Sequence, residues 1–361
     1  MTDSLLKIAK EFKTASPITD VEPLGTGFIN ETFIAKTSTP SEKYILQKKN
    51  KSIFPDVPSM MDNILAVTAH IRKKIESEGG DPEREVLSVV MTHDGKPYYI
   101  DEEGEFWTVC KFIEESVTYE SADTPSLAYK GGKGIGRFQS LLADFDAELA
   151  ETIKGFHNIR HRFEQWDASL AKDAAGRVKS LEKEIEWIES RREEMLDFWR
   201  LVEEGIIPRR VTHNDTKISN ILFNKEGDVL CVIDLDTVMT STSLNDFGDA
   251  IRSYANTGAE DDKDLDNVGL DIETFREYTR GFLEERKDTL TQPELDYLAF
   301  AARYITYEQV LRFLMDYIDG DTYYKTHYDN HNLVRTHAQY KLLQSMEENY
   351  DEMKQIVASL N

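Results

Sequence analysis

The chain changes from strand patterns to helix patterns near residue 115, and this change limits the folds it can adopt. In the first part, TDVEPLGTGFINETFIAKT alternates apolar and polar residues on both sides of a glycine-containing turn, and KYILQKKN indicates another strand. EVLSVVMTHDGKPYYIDEEGEFWTVCKFI indicates three more strands, and PSMMDNILAVTAHIRKKI has helical spacing. The first part is therefore predicted to be a small sheet with one helix packed on it.

Helical patterns dominate the chain after a polar linker, EESVTYESADTPS. Apolar residues indicate a helix over residues 134–149 that begins in GGKGIG; no βαβ unit surrounds these glycines, which argues against a dinucleotide-binding motif. Residues 176–205 indicate one long charged helix or a helix pair, and the later strand signal is the hairpin ILFNKEGDVLCVIDLDT. The sequence therefore predicts an α+β fold with a small β-rich N-lobe (1–114) and a larger, mainly helical C-lobe (115–361).

The composition indicates a globular protein with excess negative charge. The 361 residues include 43 Lys and Arg against 67 Asp and Glu, a formal net charge of −24. This charge repels nucleic acid and anionic membranes, and no apolar run reaches the roughly 18–20 residues that span a bilayer. The first residues lack the apolar core of a signal peptide. We therefore expect a cytoplasmic protein without nucleic-acid or membrane partners, whose Cys110 and Cys231 are buried free thiols.

A polar motif, VTHNDTKISN, directly precedes the hairpin, and its residue types suit phosphoryl transfer. That reaction needs a carboxylate to orient a hydroxyl and accept its proton, and oxygen ligands for Mg²⁺. Asp215 is a candidate base, and Asn220 offers an amide oxygen to a metal. Asp234 ends the strand of the hairpin and is a second candidate ligand. Asp236, interpreted as lying on the same side of an extended chain, is a further ligand or a substrate contact.

The combined pattern resembles the aminoglycoside phosphotransferase and choline kinase superfamily, whose lobes resemble those of protein kinases. HNDTKISNILF, VIDLDTVM and NDFGDAIR are similar to its central block, and the terminal segments are similar to its N-acetylhexosamine 1-kinase group. The resemblance implies a protein-kinase-like bilobal fold, with ATP and Mg²⁺ as cofactors. It makes Asp215 the catalytic base and Asn220 and Asp234 the metal ligands. It assigns Asp246 and Asp249 of DFGD to a segment that buttresses the catalytic loop.

The resemblance also implies a nucleotide site in the N-lobe. Gly25, Gly27 and Asn30 fall in the loop expected to lie over the phosphates, where glycine allows close backbone approach. Cys110 and Phe112 fall in the hinge expected to carry adenine. Taken alone, the glycine loop could equally be an ordinary hairpin turn.

One position departs from the superfamily pattern. Many members have a phosphate-contacting lysine on the third strand, and Gln47 occupies the corresponding place here. Lys48 would point to the opposite face of a regular strand, whereas Lys49 shares the face of Gln47. Both Gln47 and Lys49 are therefore candidate nucleotide contacts, and which of them replaces the usual lysine is left open.

The acceptor site is predicted in RFLMDYIDGDTYYKTHYDNHNLVR, which mixes tyrosines with charged side chains. Sugars bind to aromatic faces and hydrogen-bonding side chains, and by resemblance Arg312 and Tyr323 are the candidate sugar contacts. A helix end with surface tyrosines is the other interpretation. The predicted function is ATP-dependent phosphorylation of N-acetylglucosamine or N-acetylgalactosamine at the anomeric hydroxyl, in carbohydrate metabolism. An aminoglycoside or choline-like amino-alcohol kinase and a nucleotide-binding pseudokinase are the alternatives; no oligomeric state is predicted.

Overall fold

The computed structural model describes residues 2–25 and 29–361. Its helices are α1 (Thr2–Ala9), α2 (Val57–Glu78), α3 (Pro82–Glu85), α4 (Pro125–Leu141), α5 (Ile159–Lys172), α6 (Glu182–Glu189), α7 (Arg192–Glu203), α8 (Ser243–Tyr254), α9 (Ile272–Arg286), α10 (Gln292–Asp319), α11 (His331–Glu348) and α12 (Tyr350–Leu360). Its strands are β1 (Ile18–Pro23), β2 (Glu31–Thr37), β3 (Lys43–Lys48), β4 (Val89–Val90), β5 (Tyr99–Ile100), β6 (Phe106–Lys111), β7 (Arg210–Thr212), β8 (Ile221–Phe223), β9 (Val229–Val232) and β10 (Met239–Ser241). Short 3₁₀ helices cover Val178–Ser180, Ile218–Asn220, Leu235–Thr237 and Leu265–Asn267.

One compact unit, called here the sheet unit, combines residues 1–118, 144–154 and 221–239. Its antiparallel sheet has the strand order β1-β2-β3-β6-β4, and β5 pairs with β6. Phe33 and Leu46 belong to a core that includes residues of α1. Because side chains alternate between the faces of a sheet, their neighbours Thr32 and Gln47, which pair across β2 and β3, lie on the opposite face.

The hairpin of β8 and β9 belongs to the same unit and is antiparallel. After the hairpin, residues 235–237 pack against α2. Asn63 of α2 donates hydrogen bonds to the backbone oxygens of Val238 (3.1 Å) and Ala150 (2.9 Å). Helix α2 therefore fixes the segment that follows Asp234.

A second compact unit, called here the helical unit, contains residues 119–143, 155–220 and 240–361. It is mainly helical, and the predicted α+β class is confirmed. The charged stretch between residues 176 and 205 forms a pair of helices, α6 and α7, rather than one long helix. Among the described helices, none is both long and apolar enough to cross a membrane.

The prediction of a helix over residues 134–149 was wrong in its bounds, because α4 starts earlier and places the glycines of GGKGIG in its interior. The reason is a close crossing of α4 with α9. A Cβ added to Gly132 would lie 2.2 Å from the backbone oxygen of Tyr278, and one added to Gly281 would lie 2.0 Å from that of Tyr129. Glycine gives no apolar signal to a periodicity search, yet here it is what lets two helix backbones touch.

The two cysteines are free thiols. Cys231 is buried as predicted, whereas Cys110 is only partly buried, so the prediction of burial was wrong for Cys110. Burial raises the pKa of each thiol to about 12. Neither side chain is therefore expected to react as a thiolate near neutral pH.

Gly132→Ala is expected to destabilise the protein by roughly 1–3 kcal/mol, because the added methyl group meets backbone that cannot turn away. Gly269→Ala is the matched control, since its nearest heavy atoms are 3.5 and 3.7 Å away and its backbone is not left-handed. Thermal and urea unfolding of both variants would measure the difference. Equal stability of the two variants would contradict the close crossing.

Candidate active site

Two buried carboxylates of α8 hold the loop that contains Asp215. Asp246 accepts hydrogen bonds from the backbone N–H groups of the two residues before Asp215, at 3.0 and 2.7 Å. Asp249 accepts from the backbone N–H of Thr216 at 2.8 Å. Burial raises the pKa of Asp246, and these N–H donors oppose that shift. The buttressing role implied by the resemblance is confirmed by these hydrogen bonds.

Asp215 and Asn220 lie side by side in the helical unit. Asp215 Oδ2 accepts hydrogen bonds from Lys217 Nζ (3.0 Å) and Asn220 Nδ2 (3.1 Å), and Nδ2 also donates to the backbone oxygen of Asp215 (2.9 Å). Within the described residues, nothing donates to Asp215 Oδ1 or Asn220 Oδ1. One carboxylate oxygen can therefore accept a proton, and one amide oxygen can face a hard cation such as Mg²⁺. Lys217 stood in the quoted motif, but its pairing with Asp215 was missed.

Arg312 and Tyr323 also lie together in the helical unit. The guanidinium of Arg312 lies over the rings of Phe156, Tyr323 and Tyr324, at 5.5, 5.8 and 5.6 Å from their centroids. It donates one long hydrogen bond, 3.4 Å, to Gln309 Oε1, and forms no ion pair with any described residue. The sequence reasoning missed the two other rings, of which Phe156 is distant in the chain.

The loop that carries Tyr323 is shaped by one buried carboxylate of α10. Asp316 accepts hydrogen bonds from the backbone N–H groups of Thr322, Tyr323 and Tyr324, at 2.9, 2.8 and 3.0 Å. Asn332 Nδ2 donates a further hydrogen bond to it at 2.8 Å. Asp316 therefore fixes the backbone of Tyr323 and Tyr324 relative to α10.

Four predicted residues meet in the sheet unit. Lys49 Nζ lies 2.8 Å from both carboxylate oxygens of Asp236 and 2.8 Å from Gln47 Oε1, and Asn30 Nδ2 donates to Asp236 Oδ2 at 2.7 Å. The prediction that Lys49 shares the face of Gln47 is confirmed. The ammonium and the carboxylate are both buried and neutralise one another.

The interpretation of an extended chain from Asp234 to Asp236 was wrong. Asp234 has a left-handed backbone, with φ +60°, and the next three residues form a 3₁₀ helix. This turn redirects the chain, so the two carboxylates do not share one side of a strand. Asp236 is engaged by Lys49 and Asn30 instead.

The remaining predicted contacts lie on the strands of the sheet unit or next to them. Gly25 has φ +67°, a conformation that favours glycine, whereas Gly27 lies outside the described residues. Cys110 is the second-to-last residue of β6, and the N–H of Phe112 donates to the backbone oxygen of Lys43 at 3.0 Å. The assignment of these residues to a nucleotide site stays a prediction.

Residues 20–281 match the family model APH, described as the phosphotransferase enzyme family. The chain belongs to this family. The matched residues include the Lys49–Asp236 pair and the Asp215 loop, and membership of this family makes the chain a phosphotransferase.

Solved structures similar to this phosphotransferase cover nearly the whole chain. An aminoglycoside phosphotransferase from Alicyclobacillus acidocaldarius is 12% identical, with a TM-score of 0.62, over 98% of this chain and 96% of that one. A spectinomycin phosphotransferase in complex with ADP and spectinomycin is 12% identical (TM-score 0.57, 100% and 98%). A microcompartment-associated aminopropanol kinase is 15% identical (TM-score 0.64, 98% and 98%). At these identities the similarity shows the fold, and the predicted kinase-like fold is confirmed.

Lys49→Met is expected to cost roughly 3–5 kcal/mol of stability, because it leaves the Asp236 carboxylate buried without its cation. Lys36→Met, which breaks the exposed pair with Glu22 in the same unit, should change stability by less than about 1 kcal/mol. Urea unfolding would measure both. The double variant Lys49→Met/Asp236→Leu should recover much of the loss, and equal costs for the two single variants would contradict the buried pair.

Proposed function

We propose that this phosphotransferase transfers the γ-phosphoryl group of ATP, with Mg²⁺, to the anomeric hydroxyl of an N-acetylhexosamine such as N-acetylglucosamine or N-acetylgalactosamine. Family membership supports the transfer. Four solved structures with this fold are complexes with ADP or AMP, which supports an adenine nucleotide as donor. The observation that carries the choice of acceptor is the surroundings of Arg312.

An acceptor with an ammonium group would bring a second positive charge to the partly buried guanidinium of Arg312, which forms no direct ion pair with a described residue and interacts with the Glu308 carboxylate only at longer range. A neutral pyranose instead offers hydroxyl and N-acetyl carbonyl oxygens to the N–H groups of Arg312. Its apolar C–H faces suit the ring of Tyr323, which is 53% exposed and so open to a ligand. These features favour a neutral sugar over an amino alcohol.

In the proposed reaction, the anomeric oxygen forms a bond to the γ-phosphorus and the bond from that phosphorus to the β–γ bridging oxygen breaks. ADP leaves, and the hydroxyl proton passes to Asp215 Oδ1. Lys217 and Asn220 hold the other carboxylate oxygen, so that Oδ1 keeps a fixed direction. Asn220 and Asp234 are the proposed Mg²⁺ ligands, and the ion would neutralise charge on the phosphates. An anomeric hydroxyl is more acidic than an ordinary alcohol, so correct positioning of the reactants would supply most of the rate acceleration.

An amino alcohol is the rival acceptor, because several solved structures with this fold are aminopropanol, ethanolamine and choline kinases. The deciding measurement is ³¹P NMR with ATP, Mg²⁺ and a panel of N-acetylglucosamine, N-acetylgalactosamine, glucose, galactose, choline, ethanolamine and aminopropanol. A sugar 1-phosphate signal coupled to the anomeric proton supports the proposal. Transfer only to an amino alcohol would establish the rival, and nucleotide binding without any transfer would favour a pseudokinase.

Asp215→Asn is expected to lower kcat by roughly 10²–10⁴-fold, because the proton acceptor is removed while the shape of the side chain is kept. Nucleotide affinity, measured by calorimetry, should be unchanged. Asp197→Asn, at an exposed position of α7, is the control and should keep full activity. Full turnover by the Asp215 variant would remove it from the role of base.

Arg312→Met is expected to raise the KM of the sugar by roughly 10–100-fold, because the sugar loses hydrogen bonds from a charged donor. The KM of ATP should stay the same, as should both constants in Arg276→Met, which alters an exposed arginine of α9. Initial rates with each substrate varied in turn would measure these constants. An unchanged sugar KM would place the acceptor elsewhere.

A further inference from the structure

His157 is a buried side chain that the reaction described above does not use. It directly precedes the N-cap of α5, is 4% exposed, and has a left-handed backbone with φ +55°, which is rare for a residue other than glycine. Its ring connects two parts of the helical unit. Nδ1 lies 2.6 Å from Glu308 Oε2, and Nε2 lies 3.3 Å from the backbone oxygen of Asn214.

Both partners of the ring are hydrogen-bond acceptors. A backbone carbonyl oxygen only accepts, and a carboxylate only accepts when it is ionised. Burial alone would raise the pKa of Glu308, but His157 and Arg162, whose Nε donates to Oε1 at 3.1 Å, hold it well below its usual value. Because both nitrogens face acceptors, the ring can donate both hydrogen bonds only when each nitrogen carries a proton.

The carbonyl that His157 contacts belongs to the peptide bond between Asn214 and Asp215. The N–H of the same peptide donates to His213 Nδ1 at 3.2 Å, so both polar atoms of the peptide are held. The preceding N–H, that of Asn214, is held by Asp246. The orientation of this peptide plane sets the direction in which the Asp215 side chain leaves the backbone.

Glu308 also links His157 to the acceptor residues. It lies on α10 one turn before Arg312, so the two side chains project from the same face of the helix. A shift of α10 at Arg312 would therefore move Glu308, and with it the His157 ring that contacts the Asn214–Asp215 peptide.

We propose that His157 is a positioning residue: a buried imidazolium that orients the Asn214–Asp215 peptide and couples it, through Glu308, to the turn of α10 that carries Arg312. This inference rests on the proposed role of Asp215 as base. It does not depend on which acceptor is phosphorylated.

The kinetic test compares His157→Phe, which removes both donors, with His157→Gln, which keeps one. We expect the Phe variant to lose roughly 10–100-fold in kcat, the effect of a misplaced catalytic group, with the KM of ATP unchanged. The Gln variant should keep more activity than the Phe variant. His337→Gln is the control, since His337 also pairs with a carboxylate, that of Glu184 at 2.9 Å. Neither partner belongs to the loop of Asp215 or to the loop of Tyr323. Rates are expressed per nucleotide-binding site, so that loss of folded protein does not count.

The second readout is ¹⁵N NMR of the unliganded protein labelled at its eight histidines, with the Gln variant assigning the His157 signals. Two protonated ring nitrogens at His157 are expected. One unprotonated nitrogen, or a kcat per binding site in the Phe variant equal to that of the wild type, would overturn the inference. The NMR readout needs no acceptor. Two protonated nitrogens together with a failed sugar panel would therefore overturn only the choice of acceptor. If the Phe variant does not fold, the NMR readout alone still tests the inference about His157.

Discussion

The candidate active site depends on carboxylates that accept hydrogen bonds from consecutive backbone N–H groups. Asp246 binds two such groups in the loop before Asp215, and each would cost about 1–3 kcal/mol if it were buried without an acceptor. Helix α8 can offer this carboxylate because it is itself buried against α10, where a Cβ on Gly248 would lie 2.2 Å from the backbone oxygen of Ala301. The packing of α8 against α10 therefore also determines the position of the catalytic loop.

Charged side chains are arranged differently at the surface of this protein and in its interior. The net charge of −24 is an excess of exposed acidic side chains and says little about the sites. Buried basic side chains find different carboxylate partners: Lys49 is neutralised by Asp236, and Arg162 and His157 both contact Glu308. Arg312 lies among aromatic rings, forms no direct ion pair with a described residue, and interacts with Glu308 only at longer range. In the proposed function, this guanidinium is the group offered to the acceptor.

The sequence was informative where function follows local geometry. Strand alternation was enough to place Lys49 beside Gln47, and the spacing of HNDTKISN was enough to bring Asp215 and Asn220 together. It failed where a residue adopts an unusual backbone or finds a remote partner. The left-handed turn at Asp234 has no pattern of its own, and the partner of His157 lies 151 positions away on α10.

The same physical device holds the loop of Asp215 and the loop of Tyr323. Asp316 accepts three consecutive N–H groups of the loop that contains Tyr323, much as Asp246 accepts two beside Asp215. The two carboxylates stand on different helices, α10 and α8, so each loop has its own anchor. In the inference above, the contact between Glu308 of α10 and His157 is what connects the two loops.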